Sequence, residues 1–144
     1  IEPVLHAMKV LEEKYDYVVL LQTTRPMMLV DDIDSCIESC FSSHAPSCVS
    51  VTEVDQHPHL MYEVDKTGAL SPFLSQKKAI YRRQDLPLVY ILNGAVYIAE
   101  SAWIQQSRSF LRPDTKAYAM PKERSLDIDD NVDFKIAEIM LSVS

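Results

Sequence analysis

Asp16-Tyr17-Val18-Val19-Leu20-Leu21-Gln22-Thr23-Thr24-Arg25-Pro26 opens with a short β-rich apolar run and ends in a polar loop marked by proline. The run shows no alternation of apolar and polar residues. A strand covered on both faces of a parallel sheet reads this way, whereas a half-exposed strand alternates. Beyond the loop, Asp31 and Asp32 are good helix caps, and Ile33, Cys36, Ile37, Cys40 and Phe41 share one helical face. Ser47-Cys48-Val49-Ser50-Val51-Thr52-Glu53-Val54 is the next β-type run. Strand, helix and strand in succession predict a βαβ crossover, and with it an α/β chain built on a mainly parallel sheet.

Upstream, Pro3 suits the first turn of a helix, with Val4, Leu5, Met8 and Leu11 on one face. Downstream, the pattern weakens over about residues 55–87, which carry Pro58, Pro72 and Pro87 and a turn signal at Asp65-Lys66-Thr67-Gly68. This segment is expected to be a small hairpin projecting from the sheet. Leu88–Leu92 and Ala95–Ala99 flank Asn93-Gly94, which reads either as a hairpin or as one strand entered through a tight bend. Ser101 caps a short helix carrying Trp103 and Ile104. Lys116–Met120 reads as an edge strand. Val132, Ile136, Ile139 and Met140 mark the apolar face of a last helix, capped by Asp129 or Asp130. Residues 1–144 form a single domain on this reading.

Composition narrows the function. Lys plus Arg number 14 against 21 Asp plus Glu, a net charge of −7, so neither nucleic acid nor anionic membrane is an expected partner. The two glycines, Gly68 and Gly94, cannot build a G-x-G-x-x-G or P-loop phosphate cradle. No apolar run approaches the roughly 20 residues of a membrane span. Three cysteines without paired spacing argue for a reducing, cytoplasmic compartment. Cys36 and Cys40 are one helical turn apart but share their face with apolar residues, which favours packing over a zinc site.

Two clusters could carry chemistry. Lys77, Lys78, Arg82 and Arg83 reverse the field of an otherwise acidic chain, and Arg83 could hold a carboxylate with its planar fork; a solvated loop balancing nearby acids is the alternative. Asp127-Ile128-Asp129-Asp130, with Asp133 beyond, gathers hard oxygen donors of the kind that suit Mg²⁺. In an extended strand Asp127 and Asp129 present to one face, being two residues apart. Helix capping by Asp129 or Asp130 is the competing account. His57 and His59 flank Pro58 in a loop, where a surface or dimer contact is expected.

Three blocks resemble the acylneuraminate cytidylyltransferases, the CMP-sialic acid synthetases. They are Leu20-Leu21-Gln22-Thr23-Thr24-Arg25-Pro26, Arg82-Arg83-Gln84-Asp85-Leu86-Pro87 followed by Asn93-Gly94-Ala95-Val96-Tyr97-Ile98, and Met120 to Asp129 with Asp133-Phe134-Lys135-Ile136-Ala137-Glu138. The resemblance implies a nucleotidyltransferase with a three-layer, Rossmann-like sheet. Its implied reaction joins CTP to a nine-carbon 2-keto sugar acid, a nonulosonic acid of the sialic type, with Mg²⁺ and release of pyrophosphate.

By the same resemblance, Gln22 contacts the sugar and Arg83 meets its carboxylate. Asn93 and Tyr97 match sugar-pocket positions, and Phe110 and Leu111 match an apolar pair beside the acylamino group. Asp127 and Asp129 match a D-x-D that holds Mg²⁺, with Asp127 a catalytic candidate alongside Arg83. The resemblance further implies a homodimer built by about residues 55–87. Thr23, Arg25, Met28, Ile91 and Leu111 depart from the family's usual residues, all on the sugar side, so a relative such as legionaminic acid is an expected acceptor. The family's opening strand and R-x-x-S-K loop have no counterpart here. The chain is therefore expected to be an N-terminally incomplete portion that does not turn over alone. The rival expectations are a non-catalytic binding or dimerisation remnant and an octulosonate cytidylyltransferase.

Overall fold

The structure, a computed structural model, describes residues 1–74, 82 and 86–143. In chain order its elements are α1 (Glu2–Val10), β1 (Tyr17–Leu21), α2 (Val30–Ser42), β2 (Ser47–Glu53), β3 (Tyr62–Val64), β4 (Leu70–Pro72), β5 (Tyr90–Glu100), α3 (Ser101–Ser107), β6 (Lys116–Ala119) and α4 (Asn131–Val143). They divide into two compact units, Ile1–Thr52 with Leu92–Ser144, and Glu53–Ile91.

The larger unit holds a four-stranded sheet in the order β1-β5-β2-β6. β1 runs antiparallel to β5, with Tyr17 opposite Glu100 and Leu21 opposite Val96. The Glu100 N–H donates to the Pro46 carbonyl at 2.9 Å and the Ser50 hydroxyl to the Val96 carbonyl at 3.2 Å. As residue numbers rise along β5 they therefore fall along β2, and this pair is antiparallel too. Among the described strands only β2 and β6 are parallel, with Cys48 opposite Lys116 and Val51 opposite Ala119. The sheet is mixed, which corrects the expectation of a mainly parallel one. The βαβ crossover itself stands, because β1 and β2 both oppose β5 and so run the same way. What the local pattern did not reveal is that β5 inserts between them.

Asn93-Gly94 does not make a hairpin. The chain passes straight through it in β5, with Gly94 at φ +73°. β1 is also not covered on both faces, since Val19 is 39% and Leu21 41% exposed. β1 sits at the edge of the described sheet, where its apolar run gains less cover than a central strand would.

Two apolar clusters flank the sheet. Cys36 and Cys40 of α2 pack with Cys48, Val96, Ile98 and Met120. Val49, Val51, Ala99, Ile104 and Phe110 form the other, joined by Val4 and Met8 of α1. Cys48 and Val49 are adjacent on a strand and so face opposite ways. The cysteines are packing residues: the Cys36 thiol donates to the Cys48 sulfur at 3.8 Å and the Cys40 thiol to the Ala45 carbonyl at 3.2 Å. The Cys48 contact, together with burial, pushes the Cys36 thiol up, and burial pushes Cys40 up to about 11.

The start of α2 differs from expectation, while that of α4 falls on one of its two expected caps. Leu29, not an aspartate, is the N-cap of α2, and Asp32 reaches back from the first turn to accept the Leu29 N–H at 3.0 Å. α4 is capped by Asp130, whose Oδ1 accepts the Val132 N–H at 2.7 Å and the Asp133 N–H at 3.0 Å. Asp133 answers by accepting the Asp130 N–H at 3.1 Å, a reciprocal capping arrangement. The expected apolar face of α4 is only partly covered, with Val132 63% and Ile139 64% exposed and Ala137 buried.

In the smaller unit β3 and β4 pair antiparallel, Tyr62 opposite Pro72 and Val64 opposite Leu70. Asp65 Oδ1 accepts the Thr67 and Ala69 N–H groups and Gly68 adopts φ +85°, the left-handed conformation the turn needs. This is the hairpin expected from Asp65-Lys66-Thr67-Gly68. His57 is buried with both ring nitrogens engaged, one accepting from the His59 N–H at 3.1 Å and the other 3.0 Å from the Pro87 carbonyl. That use is structural rather than a surface contact. Among the described residues no helix is long and apolar enough to cross a membrane.

Candidate functional site

Three segments far apart in sequence meet where β1 ends. The Gln22 N–H continues the strand by donating to the Ala95 carbonyl at 3.4 Å. The Ile128 N–H donates to the Thr24 carbonyl at 3.1 Å, laying the acidic segment along the loop that follows β1. The carboxyl end of a strand is where open α/β sheets place ligands, and here it gathers polar side chains.

The centre of this gathering is Arg25. Its Nη2 donates to Asp127 Oδ2 at 2.6 Å and its Nη1 to the Ser125 carbonyl at 3.4 Å, and its side chain is only 8% exposed. Among the described residues, Arg25 Nε and Asp127 Oδ1 are buried without a hydrogen-bond partner. Gly94 makes this placement possible. A Cβ there would lie 2.6 Å from Arg25 Nη2 and 3.2 Å from Nε, and would also collide with Gln22 Oε1. Position 94 thus requires glycine twice, for its positive φ and for its bare face.

Asn93 plays a different part. It is 3% exposed, and its Oδ1 accepts from the Ser50 hydroxyl at 2.6 Å while its Nδ2 donates to the Ser125 hydroxyl at 2.9 Å and toward Met120 Sδ at 3.2 Å. The amide ties β2 and β5 to the 120–125 segment and so fixes where Asp127 begins. Ser125 in turn donates to the Pro121 carbonyl at 2.8 Å. These bonds saturate the Asn93 amide, so its contribution to the site is to hold the neighbouring elements.

The remaining sequence-predicted residues are spread more widely. Gln22 is exposed beside Gly94. Asp129 is exposed, with its N–H donated to Asp133 at 3.1 Å. Tyr97 and Phe110 lie in the second apolar cluster, their rings 5.4 Å apart at 56°, rather than among the polar groups around Asp127. Leu111 is 44% exposed. Arg83, with Lys77 and Lys78, lies outside the described residues. A groove of about 720 Å³ at the other end of β1, lined by Met8, Tyr15, Asp16, Glu100 and Gln105 among others, contains none of these residues.

Ser50 and Ser125 did not stand out in the sequence, and Arg25 stood out only as a departure from the family's usual residue. Ser50 had a usable signal, being a lone hydroxyl inside the buried run Cys48-Val49-Ser50-Val51, where a polar group needs a partner. Nothing local marked Arg25 as the partner of Asp127, which lies 102 residues further along the chain.

No family model matches the chain. It is similar to an N-acylneuraminate cytidylyltransferase of Streptococcus agalactiae serotype V, 37% identical over 116 residues, covering 81% of this chain and 28% of that protein. It is 30% identical over 132 residues to the CMP-N,N'-diacetyllegionaminic acid synthase of Legionella pneumophila, covering 90% of this chain and 56% of the relative. With the pseudaminic acid cytidylyltransferase of Campylobacter jejuni it shares 25% identity over 145 residues, 98% of this chain and 62% of the relative. The chain thus spans between about a quarter and three-fifths of the relatives it matches.

Proposed function

The chain is a homologue of the N-acylneuraminate cytidylyltransferases, and we propose that it carries the acceptor-sugar and metal side of such a transferase, moving CMP from CTP to a nonulosonic acid with release of pyrophosphate. The observation that carries the reading is the convergence of Gln22, Gly94 and Asp127, one from each resembling block, around Arg25 at the carboxyl end of β1. A three-layer nucleotidyltransferase sheet fits the helices that contribute to both apolar clusters.

The residues present fit Mg²⁺. Asp127 Oδ1 is buried and unpartnered, Asp129 stands two residues on with an exposed side chain, and the capping work falls to Asp130 instead. Mg²⁺ is commonly held by one or two carboxylates plus substrate phosphates. Bound there, the ion would neutralise charge on the phosphates as the sugar's anomeric hydroxyl attacks the α-phosphate. The protein's part is positioning: Asp127 is fixed by the Asn93–Ser125 brace, Gln22 faces the acceptor, and Arg83 holds the sugar carboxylate.

A homodimer built by about residues 55–87 is supported by the smaller unit's exposed apolar surface, which includes Tyr62, Val64, Leu70 and Phe73. A cytoplasmic enzyme acting on CTP is the matching setting. The test is to incubate the full gene product with CTP, Mg²⁺ and, separately, N-acetylneuraminic, legionaminic and pseudaminic acids. Pyrophosphate release with a CMP-sugar mass for one of them is expected. Release of pyrophosphate with none of them, or no reaction at all, would remove the assignment.

A further inference from the structure

Two arginine–aspartate pairs in the larger unit differ in a way that separates structure from function. Asp32 and Arg124 form a closed fork, Nε to Oδ2 and Nη2 to Oδ1, each at 2.8 Å, and both carboxylate oxygens are satisfied. Arg25 and Asp127 meet through one short contact and leave a buried nitrogen on one side and a buried oxygen on the other without partners among the described residues. A bridge built only for stability would close the second contact, since each orphaned buried polar atom is destabilising. The room for the guanidinium exists only because position 94 has no side chain.

We propose that Arg25 is the resident counter-ion of Asp127 and competes with a divalent cation for that carboxylate. The inference rests on the reading of Asp127 as a cation ligand. A guanidinium 2.6 Å from Oδ2 and a divalent ion bound to the same carboxylate, whose side chain is 30% exposed, would repel each other at close range. The guanidinium and the ion therefore disfavour each other at that carboxylate. Arg25 acts here as a positioning residue that sets how strongly the chain takes up metal.

The test is Mn²⁺ binding to the chain alone, without CTP or sugar, read from loss of the free-ion electron paramagnetic resonance signal. Arg25→Gln and the bulk-preserving Arg25→Met should each bind Mn²⁺ about tenfold more tightly or better, while Arg25→Lys, which keeps the charge, should stay close to the unsubstituted chain. Adding Asp127→Asn to Arg25→Gln should abolish the gain. A purely structural Arg25 predicts the opposite sign, because loosening Asp127 would weaken binding. If Asp127→Asn weakens Mn²⁺ binding but neither neutral Arg25 variant strengthens it, the counter-ion role is wrong and the metal reading survives. If Asp127→Asn leaves Mn²⁺ binding unchanged in both backgrounds, both fall together.

Discussion

Asp127, Asp130 and Gly94 show how three small residues divide the labour of one site. Asp130 caps α4 by accepting two backbone N–H groups, so Asp130→Ala should lower stability by about 1 kcal/mol in chemical denaturation and leave turnover of the full gene product unchanged. Asp127 behaves differently. Asp127→Asn strips Arg25 of its charged partner, for a loss of about 1–3 kcal/mol, and removes the carboxylate proposed to hold the metal, so turnover should collapse as well. Normal turnover of Asp127→Asn at limiting Mg²⁺ would refute the metal role. Gly94→Ala forces a Cβ onto Arg25 and a side chain into positive φ, for a cost of about 1–3 kcal/mol from the backbone alone. Its denaturation midpoint should fall accordingly, and a midpoint equal to that of the unsubstituted chain would contradict the close approach.

At the scale of elements, the fork between Asp32 and Arg124 joins the first turn of α2 to the short 3₁₀ turn that precedes the acidic segment. Burial of Asp32 works against its charge, but the Arg124 guanidinium, the Leu29 N–H and the Tyr118 hydroxyl outweigh it and hold the carboxyl below its ordinary value. A group whose pKa is depressed on folding contributes stability at pH values above its unfolded pKa, about 4, and loses that contribution as pH falls through the folded value. Acid unfolding monitored by circular dichroism should therefore steepen below about pH 4. Arg124→Met leaves Asp32 charged and fully buried, and should cost about 3–5 kcal/mol. Arg124→Met should also shift the acid transition, because Asp32 then gains stability on protonation. An unchanged acid profile in this variant would show that the pair contributes nothing to folding.

For the molecule as a whole, the smaller unit matters most. Val64 is 66% and Leu70 68% exposed at facing positions of β3 and β4, an apolar pair that a solitary hairpin gains nothing by displaying. Val64→Asp with Leu70→Lys should convert the proposed dimer to a monomer in sedimentation velocity at micromolar concentration while leaving the circular dichroism of the larger unit intact, and an unsubstituted chain that is already monomeric would refute the dimer. A dimer that survives both changes would place the interface elsewhere.

Local signals carried the elements whose causes are local. The α2 face of Ile33, Cys36, Ile37 and Cys40, the Asp65–Gly68 turn and the Lys116 edge strand were legible because periodicity and turn chemistry act within a few residues. The three blocks that resemble the cytidylyltransferases were legible for the same reason, each being a short run. Strand order was not, because β5 reaches its place between β1 and β2 through pairings made far along the chain. The passage of β5 straight through Asn93-Gly94 is likewise a tertiary outcome. Locally that dipeptide favours a reversal, but Asn93 gains partners on Ser50 and Ser125 only if the strand continues. Arg25 is the extreme case. Its departure from the family's usual residue marks it in the sequence, but only folding brings Asp127 and the bare face of Gly94 to it. The sequence by itself determined most of the elements and the family likeness. The tertiary structure alone decided the mixed sheet and the charge pairing at the site, because hydrogen-bond partners and Coulomb neighbours are set by distance in space rather than along the chain.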